Sequence, residues 1–401
     1  MKRLEDWTIE YAILHSSLRK HSNLMLTISN FLNKYLWFSG FLFLFSLGQL
    51  QRIQLTNSIA VYSHEIFAFI WMMKNSKKYF HWLKYLLKNT EFVKKNFAFI
   101  SFILYLSFQL VCYNILDFQL TQIVYHLRFL FYTFFLFFLF FQHRTRKLSA
   151  NAFKLAIAFI GIFIATLGLI QYFTIPDSRF LIYSGWDDHY YRLISSLFDP
   201  GFTAIILVMT FLALFSWQGR FSNIFSFLIQ TLFLGTILLT YSRAGYLSLL
   251  VGFIMISITL VHKKTKRWKL SNIFALSVFF VVLIPFLPKP GGEGVNLLRT
   301  TSIQQRIESN QTAIHSLTWK TIVFGSGFYR AIEVKDSVPN HATAPDNSYI
   351  FIFTSMGIVG SILFLLTVYQ YKNRIFSHHT FLIVGSALCV NSLFNNSLFY
   401  V

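Results

Sequence analysis

PNHATAPDNSYIFIFTSMGIVG, residues 339–360, is the stretch on which the reading of this chain turns. A polar approach bracketed by Pro339 and Pro345, with His341 between them, runs straight into Asp346-Asn347-Ser348-Tyr349. An apolar helix then begins and carries Gly357 and Gly360. Ionisable and amide groups therefore sit at the mouth of a membrane helix. Charges are expensive inside hydrocarbon, so groups placed there tend to line a wet cavity and to be functional. Asp346 and Asn347 are also favoured helix N-cap types, so capping and chemistry both stand as readings of the pair.

The rest of the chain agrees that the helix belongs to a membrane. Of 401 residues 55% are hydrophobic, 19% are Phe, Tyr or Trp, and only 12% are charged, which excludes a soluble domain. About 20 apolar residues span a bilayer. Eleven segments qualify: 35–50, 54–73, 97–116, 120–141, 153–173, 201–217, 221–240, 244–261, 271–287, 347–371 and 379–399. The first and sixth are short, and a twelfth span is compatible with the pattern. The expected fold is an all-α polytopic membrane helix bundle of 11–12 transmembrane helices with one long extracytoplasmic helical loop. Its expected parts are an interfacial arm (1–34), a transmembrane bundle (35–287), the outer loop (288–346) and C-terminal transmembrane helices (347–401). Cys112 and Cys389 both fall in apolar spans and read as packing residues, without a disulfide framework or C-x-x-C pair. Residues 1–34 lack a small-residue cleavage site, so membrane targeting is expected to fall to the first spans.

A formal net charge of +20 would suggest nucleic acid in a soluble protein. Here its distribution decides. With the N-terminus inside, 24 Lys and Arg lie on the inner side and ten on the outer, and Arg128 lies within a span. The positive-inside rule thus predicts a cytoplasmic N-terminus and an outer 288–346 loop. The inner excess suits anionic lipid headgroups, and no nucleic-acid partner is expected. In the 74–96 loop Phe80, Leu83 and Leu87 recur at helical spacing among lysines, as in a segment anchored to the inner lipid surface.

Several polar residues interrupt the apolar pattern. Glu65, beside His64 in the second span, needs a partner or a proton, and a hydrogen bond to another helix is the expected one. Arg128, with His126 nearby, cannot discard its charge. It either snorkels outward or faces a cavity holding an anion. Residues 174–200 combine Trp186, Tyr190 and Tyr191 with Asp187, Asp188, His189 and Arg192. Rings beside carboxylates suit a sugar-binding surface, and equally an aromatic belt at the interface. Adjacent residues rarely converge on one ion, so no metal site is expected at Asp187-Asp188-His189. Tyr241-Ser242-Arg243-Ala244-Gly245 places an arginine between two helix ends at the outer face, where Gly245 allows close backbone approach. The outer loop opens on Pro288, Pro290, Gly291 and Gly292, a turn cluster. A helix follows, with Ser302 and Gln305 spaced as a capping box and Ile303, Ile307, Ile314 and Leu317 as an apolar stripe, before Gly325-Ser326-Gly327 ends it. There is no P-loop, dinucleotide fingerprint, H-E-x-x-H or zinc-ligand spacing, and no cofactor is expected.

Three places form one pattern. Arg192 precedes Pro200-Gly201 at the start of a span. Ser242-Arg243-Ala244-Gly245 caps another. The long outer loop holds Arg306 and a Gly-x-Gly, then closes with Asp346-Asn347-Ser348-Tyr349 and Gly357-Ile358-Val359-Gly360. Over about residues 190–370 this order resembles the O-antigen ligase and polymerase family of bacterial membrane glycosyltransferases, which join lipid-linked glycans on the outer side of the membrane. The resemblance implies that Arg192 and Arg243 bind the diphosphate of an undecaprenyl-linked donor, with Arg306 matching an outer-loop arginine and Arg128 a further candidate. Fixed, forked, permanently charged donors suit a leaving diphosphate. The family commonly carries His-Asn where this chain has Asp346-Asn347. Either Asp346 replaces the histidine as base, or His341 reaches in from upstream. Asn347, Tyr349 and Trp186 are expected to shape the acceptor site.

The function so implied is polymerisation of undecaprenyl-diphosphate-linked polysaccharide repeat units, of O-antigen, capsule or exopolysaccharide. It proceeds by inverting transfer at the outer face of the bacterial inner membrane, without metal or cofactor. Lipid-linked oligosaccharide and membrane lipids are the expected partners, and a flippase and a chain-length regulator are compatible ones. Within the family the alternative is an O-antigen ligase acting on lipid A-core. Outside it the alternative is a polysaccharide flippase or transporter, although the halves show no internal repeat.

Overall fold

The computed structural model describes residues 35–56, 59–116, 120–145, 147–217, 224–262, 267–288, 290–327 and 345–398. His341 and the 1–34 arm lie outside them. The architecture is all-α, as the apolar runs predict. Helix α1 covers Tyr35–Ser46. It leads into a two-stranded hairpin, β1 (Arg52–Gln54) and β2 (Ala60–Tyr62), antiparallel with Ile53 opposite Val61. Then come α2 (Ser63–Lys74), α3 (Ser76–Lys88), α4 (Thr90–Lys95), α5 (Phe97–Leu116), α6 (Leu120–Arg144), α7 (Ala150–Thr174) and α8 (Pro200–Trp217). The second half holds α9 (Ile224–Leu239), α10 (Arg243–His262), α11 (Arg267–Leu283), α12 (Thr301–His315), α13 (Trp319–Phe324), α14 (Ser348–Ser377) and α15 (His379–Asn391).

Eleven of these helices stand where apolar spans are expected. Among the described residues four are long and apolar enough to cross a membrane: Gln122–Arg144, Ala150–Thr174, Arg243–Leu260 and Ser348–Asn373. The second expected span is corrected most. Half of 54–73 is the hairpin, because the Thr56 turn and the pairing of Arg52 with Tyr62 take up the chain before α2 begins. Cys389 is exposed rather than packed inside.

Three apolar cores hold the bundle. The largest joins α7, α8, α9, α10, α11 and α15 around Val208, Phe211, Phe233, Leu249 and Ile383. A second gathers α1, α2, α3 and α6 around Phe38, Trp71, Phe135 and Phe138. The third is α5 against α14, through Phe102, Leu106, Phe351 and Met356. In α3, Tyr79 is buried against Phe138 and Phe141, while Phe80 and Leu87 stay exposed among lysines.

The opening stretch has an internal break. Gly357 adopts φ 65° and ψ −171°, which interrupts α14. This conformation is open essentially only to glycine. The carbonyls freed by the break are met from outside the helix. Ser326 N–H donates to Thr354 O (2.8 Å) and Gly327 N–H to Ser355 O (2.9 Å). The Tyr105 hydroxyl of α5 donates to Met356 O (2.8 Å). Gly325-Ser326-Gly327 is thus a backbone dock onto α14. A Cβ on Gly357 would stand 2.3 Å from Gly325 N, and one on Gly325 2.2 Å from Ser355 O. The dock fixes the end of helices α12 and α13 against the bundle.

Candidate functional site

The site is built where α8, α10, α12 and α14 begin and α15 ends. Its first wall is the segment between α7 and α8. Three of the four non-glycine residues with left-handed φ among the described residues fall within it: Tyr191 (49°), Ser195 (52°) and Phe198 (57°). Each is an unfavourable conformation held by its surroundings. Gln171 Oε1 of α7 accepts from Ile194 N–H (3.0 Å), the Ser195 hydroxyl donates to Ile164 O (2.7 Å), and Leu193 N–H donates to Leu239 O (2.9 Å). This crank carries Arg192 inward, and its Nε donates to Thr240 O (3.2 Å).

Arg243 enters from the neighbouring turn. Tyr241, the fourth left-handed residue (51°), turns the chain, and the Ser242 hydroxyl accepts from Gly245 N–H (3.2 Å) to cap α10. One guanidinium nitrogen of Arg243 donates to Arg299 O (2.7 Å), the other to the Ser302 hydroxyl (2.7 Å). The expected capping box at Ser302 is absent, because α12 already begins at Thr301 and Ser302 lies within its first turn, where its hydroxyl accepts from Arg243. Thr300 precedes α12 without a side-chain cap. The expected stripe of α12 is likewise unpacked, with Ile303, Ile307 and Ile314 exposed. What α12 delivers instead is Arg306, whose Nη2 donates to Asn395 Oδ1 (2.9 Å). Asn395 donates in turn to Asn391 Oδ1 (3.1 Å), and Asn391 to the Ser248 hydroxyl (3.3 Å). An amide chain thus runs from α12 into α10.

The cations act on one another. Burial, then the Arg299 guanidinium, oppose the charge on Arg192 and pull its pKa down to about 9; Arg306 adds to the same effect and Asp199 offsets it. Yet among the described residues none of Arg192, Arg243 and Arg306 forms an ion pair; the pairs present are Lys94–Glu91, Arg128–Glu65 and Arg179–Asp177. The three are held by carbonyls, a hydroxyl and an amide, neutral groups that fix position.

Two carboxyls border the cluster. Asp346 precedes α14 and makes no hydrogen bond among the described residues. Burial raises its pKa, Arg306 works against this, and Asp187 adds to it. The cap of α14 is Asn347, whose Oδ1 accepts from Tyr349 N–H (2.8 Å) and Ile350 N–H (3.2 Å), while its amide donates to Leu393 O (2.9 Å). The capping reading of the pair thus falls to Asn347. Asp199 caps α8 through Phe202 N–H (2.7 Å) and is also raised, by burial first.

Other expected residues lie apart from the cluster. Arg128 is buried beside Glu65 (2.7 Å), and Tyr62 and Tyr125 face its guanidinium at 5.4 and 5.1 Å. Glu65 thus has its partner on another helix, and Arg128 needs no anion. The Tyr349 hydroxyl donates to Cys389 O (3.0 Å), tying α14 to α15. Trp186 stacks under Arg52 of the hairpin (5.3 Å) and meets Phe198 edge-on. Sequence reasoning missed Arg299, Asp199, Asn391 and Asn395. Asp199 offered a signal, since Asp-Pro-Gly at a helix start invites the question of what else the carboxyl faces.

Together these features define a polytopic helical membrane protein with an arginine-lined, carboxyl-bordered mouth. Residues 228–365 match the family model described as O-antigen ligase, and the match supports the O-antigen ligase and polymerase family for this chain. It spans Arg243, Arg306, Asp346 and the Gly325–Gly357 dock; Arg192 and Asp199 precede it. Comparison with curated proteins and with solved structures returned no match. The family supports a glycosyltransferase-like membrane enzyme of ligase or polymerase type.

Proposed function

We propose that the protein polymerises polysaccharide repeat units carried on undecaprenyl diphosphate. The observation that carries this reading is the set of arginines fixed by neutral groups and, among the described residues, without an ion pair. A diphosphate offers several anionic oxygens to forked donors, and the charge that grows on it as it leaves is what fixed cations stabilise best. Arg192, Arg243 and Arg306 bind the donor diphosphate. Asp346 takes the proton of the acceptor hydroxyl as its oxygen attacks the anomeric carbon; the bond to the diphosphate breaks and the centre inverts. A raised carboxyl is a better base than an ordinary one. His341 remains the alternative base, and Trp186 belongs to the acceptor side.

The cluster faces the outer side of the bacterial inner membrane, with α3 and α4 on the cytoplasmic side, as the 24-to-10 charge asymmetry supports. Maleimide labelling of a Cys at Ser302, but not at Ser76, from outside intact cells is the expected result; the reverse would sink this topology. The functional test is glycan length in a deletion strain. Loss of polymer with single units retained is the polymerase outcome. Complete polymer stranded on the carrier lipid would make the protein a ligase.

A further inference from the structure

Phe180 and Tyr183 are left over once the aromatic residues of 174–200 are placed. The rings that the sequence singles out there are already in use. Trp186 lies under Arg52; Tyr190 lies under the Arg179 guanidinium (4.8 Å) and meets Tyr191 edge-on (4.7 Å). The rings turned outward belong to the short helix Arg179–Ser184, where Phe180 is exposed and Tyr183 is 93% exposed.

Both rings line an open groove of about 540 Å³, together with Asp177, Arg179, Ile182 and Asp188. That volume falls in the range of about 300–1,000 Å³ common to small-ligand sites. Asp177 takes Nε (2.9 Å) and Nη2 (2.6 Å) of Arg179, a forked pair that does not engage Nη1. The groove is stitched to the segment that carries Arg192. Ser178 N–H donates to His189 O (2.9 Å), and Tyr191 N–H donates to Pro176 O (2.8 Å). The segment before α12 packs along both places: a Cβ on Gly292 would stand 3.6 Å from Tyr190 Cδ1, and one on Gly294 3.0 Å from Arg192 Cδ. The groove therefore adjoins the arginine-lined mouth through direct contacts.

The lining selects its occupant. An interfacial lipid anchor sets apolar residues beside lysine and arginine. Here two carboxylates stand against one guanidinium, which is already paired, and an anionic headgroup finds no partner. A sugar fits. Its C–H face stacks on an aromatic ring, the carboxylates accept from its hydroxyls, and Nη1 of Arg179 donates to one of its oxygens.

We propose that the groove binds a sugar of the glycan chain other than the one that reacts. Tyr183 is the stacking platform, and Asp177, Asp188 and Arg179 are the hydrogen-bonding partners. This deepens the glycan-transfer reading above and rests on it.

The test uses purified full-length protein and two probes. One is the polysaccharide of the native strain, released from its carrier lipid by mild acid. The other is undecaprenyl diphosphate without sugar. The first addresses the groove without a diphosphate, the second the arginines without a glycan, and the parent should bind both. Tyr183→Ala should bind the polysaccharide about tenfold more weakly, the scale of one lost ring face. Tyr183→Phe keeps that face and should recover most of the loss. Both variants should bind undecaprenyl diphosphate like the parent, which also shows that the neighbouring site is folded. Equal polysaccharide affinity in the parent and Tyr183→Ala would overturn the proposal and make the exposed rings a lipid-facing anchor. Equal weakening toward both probes would overturn it as well, as would a parent that does not bind the polysaccharide. A parent that binds the polysaccharide and not undecaprenyl diphosphate would fail the donor-site reading and leave the groove standing.

Discussion

Arg128 and Arg192 are both sunk into an apolar protein, and their surroundings differ in kind. Arg128 has a carboxylate at 2.7 Å, a carbonyl from Ala60 and two tyrosine faces. Glu65 is itself bonded by the Tyr132 hydroxyl (3.1 Å), which the His64 ring meets at 2.7 Å. That network is closed, and no ligand is needed to complete it. Arg192, Arg243 and Arg306 are given Thr240, Arg299 and Leu297 carbonyls, the Ser302 hydroxyl and the Asn395 amide, and among the described residues no carboxylate in ion-pair contact. The first arrangement neutralises a charge; the second aims one. An arginine is informative about function when the fold spends bonds on holding it and none on neutralising it.

The largest expected effect breaks the second arrangement. Arg192→Ala or Arg243→Ala should lower transfer by at least ~100-fold, the scale of removing one fixed transition-state donor. Either variant should remain inserted and folded, as judged by its melting profile. Arg→Lys should rescue only part, because an ammonium cannot make the forked contact. Full activity of Arg243→Ala would remove it from the site.

Breaking the first arrangement should have the opposite signature. Glu65→Ala leaves a buried, uncompensated guanidinium and should cost ~3–5 kcal/mol of stability. Activity per folded molecule should stay within about threefold. Thermal melting in detergent alongside a transfer assay separates the two; intact stability with lost transfer would place Arg128 in the catalytic apparatus after all.

How far such a contrast is legible in sequence depends on range. The apolar runs, the N-cap at Asn347, the glycines of the dock and the arginines beside helix starts are local patterns, and they read directly. Pairing is not local. Nothing near Arg128 reveals that Glu65 faces it, so a cavity with an anion stood as an equal reading. The stripe of α12 misled for the same reason: its period is helical, but which face is buried depends on partners far along the chain. Arg299, Asn391 and Asn395 were invisible because their roles come from contacts across 56 to 143 positions, between Arg243 and Arg299, Arg306 and Asn395, and Asn391 and Ser248. The hairpin before α2 was hidden because the apolar residues of its second strand, Ala60 and Val61, run on into those of α2.

A third comparison sets Asp346 against its neighbour. Asp346→Asn should lose ~100-fold in transfer, as for a general base, and should keep its helix, because the cap is Asn347. Its folded pKa is raised, so between the ordinary carboxylate value and that raised value the folded chain keeps a proton the unfolded chain has released. This contribution to stability is present below the unfolded pKa and is lost as pH rises through the folded one. At neutral pH the Asn variant should therefore melt no lower than the parent. The acid limb of the parent's rate profile should lie above the ordinary carboxylate range, and should be absent from the residual rate of the variant. A normal rate in Asp346→Asn with loss in His341→Ala would move the base to His341.

The smallest expected effect converts one arrangement toward the other. Asn395→Asp places a carboxylate on Arg306, giving it the kind of partner Arg128 has. Donor KM should rise by about tenfold with little change in kcat, in steady-state assays at fixed acceptor. An unchanged KM would mean that Arg306 does not meet the donor.

The most direct measurement is binding of undecaprenyl diphosphate to the purified chain across a salt series. The arginine cluster should bind it with an affinity that falls as salt rises. Arg192→Ala/Arg243→Ala should weaken binding by at least ~100-fold, and the Glu65→Leu/Arg128→Met pair should leave it unchanged. Equal affinity in the parent and the Arg192/Arg243 variant would contradict the account, whatever either does in a transfer assay.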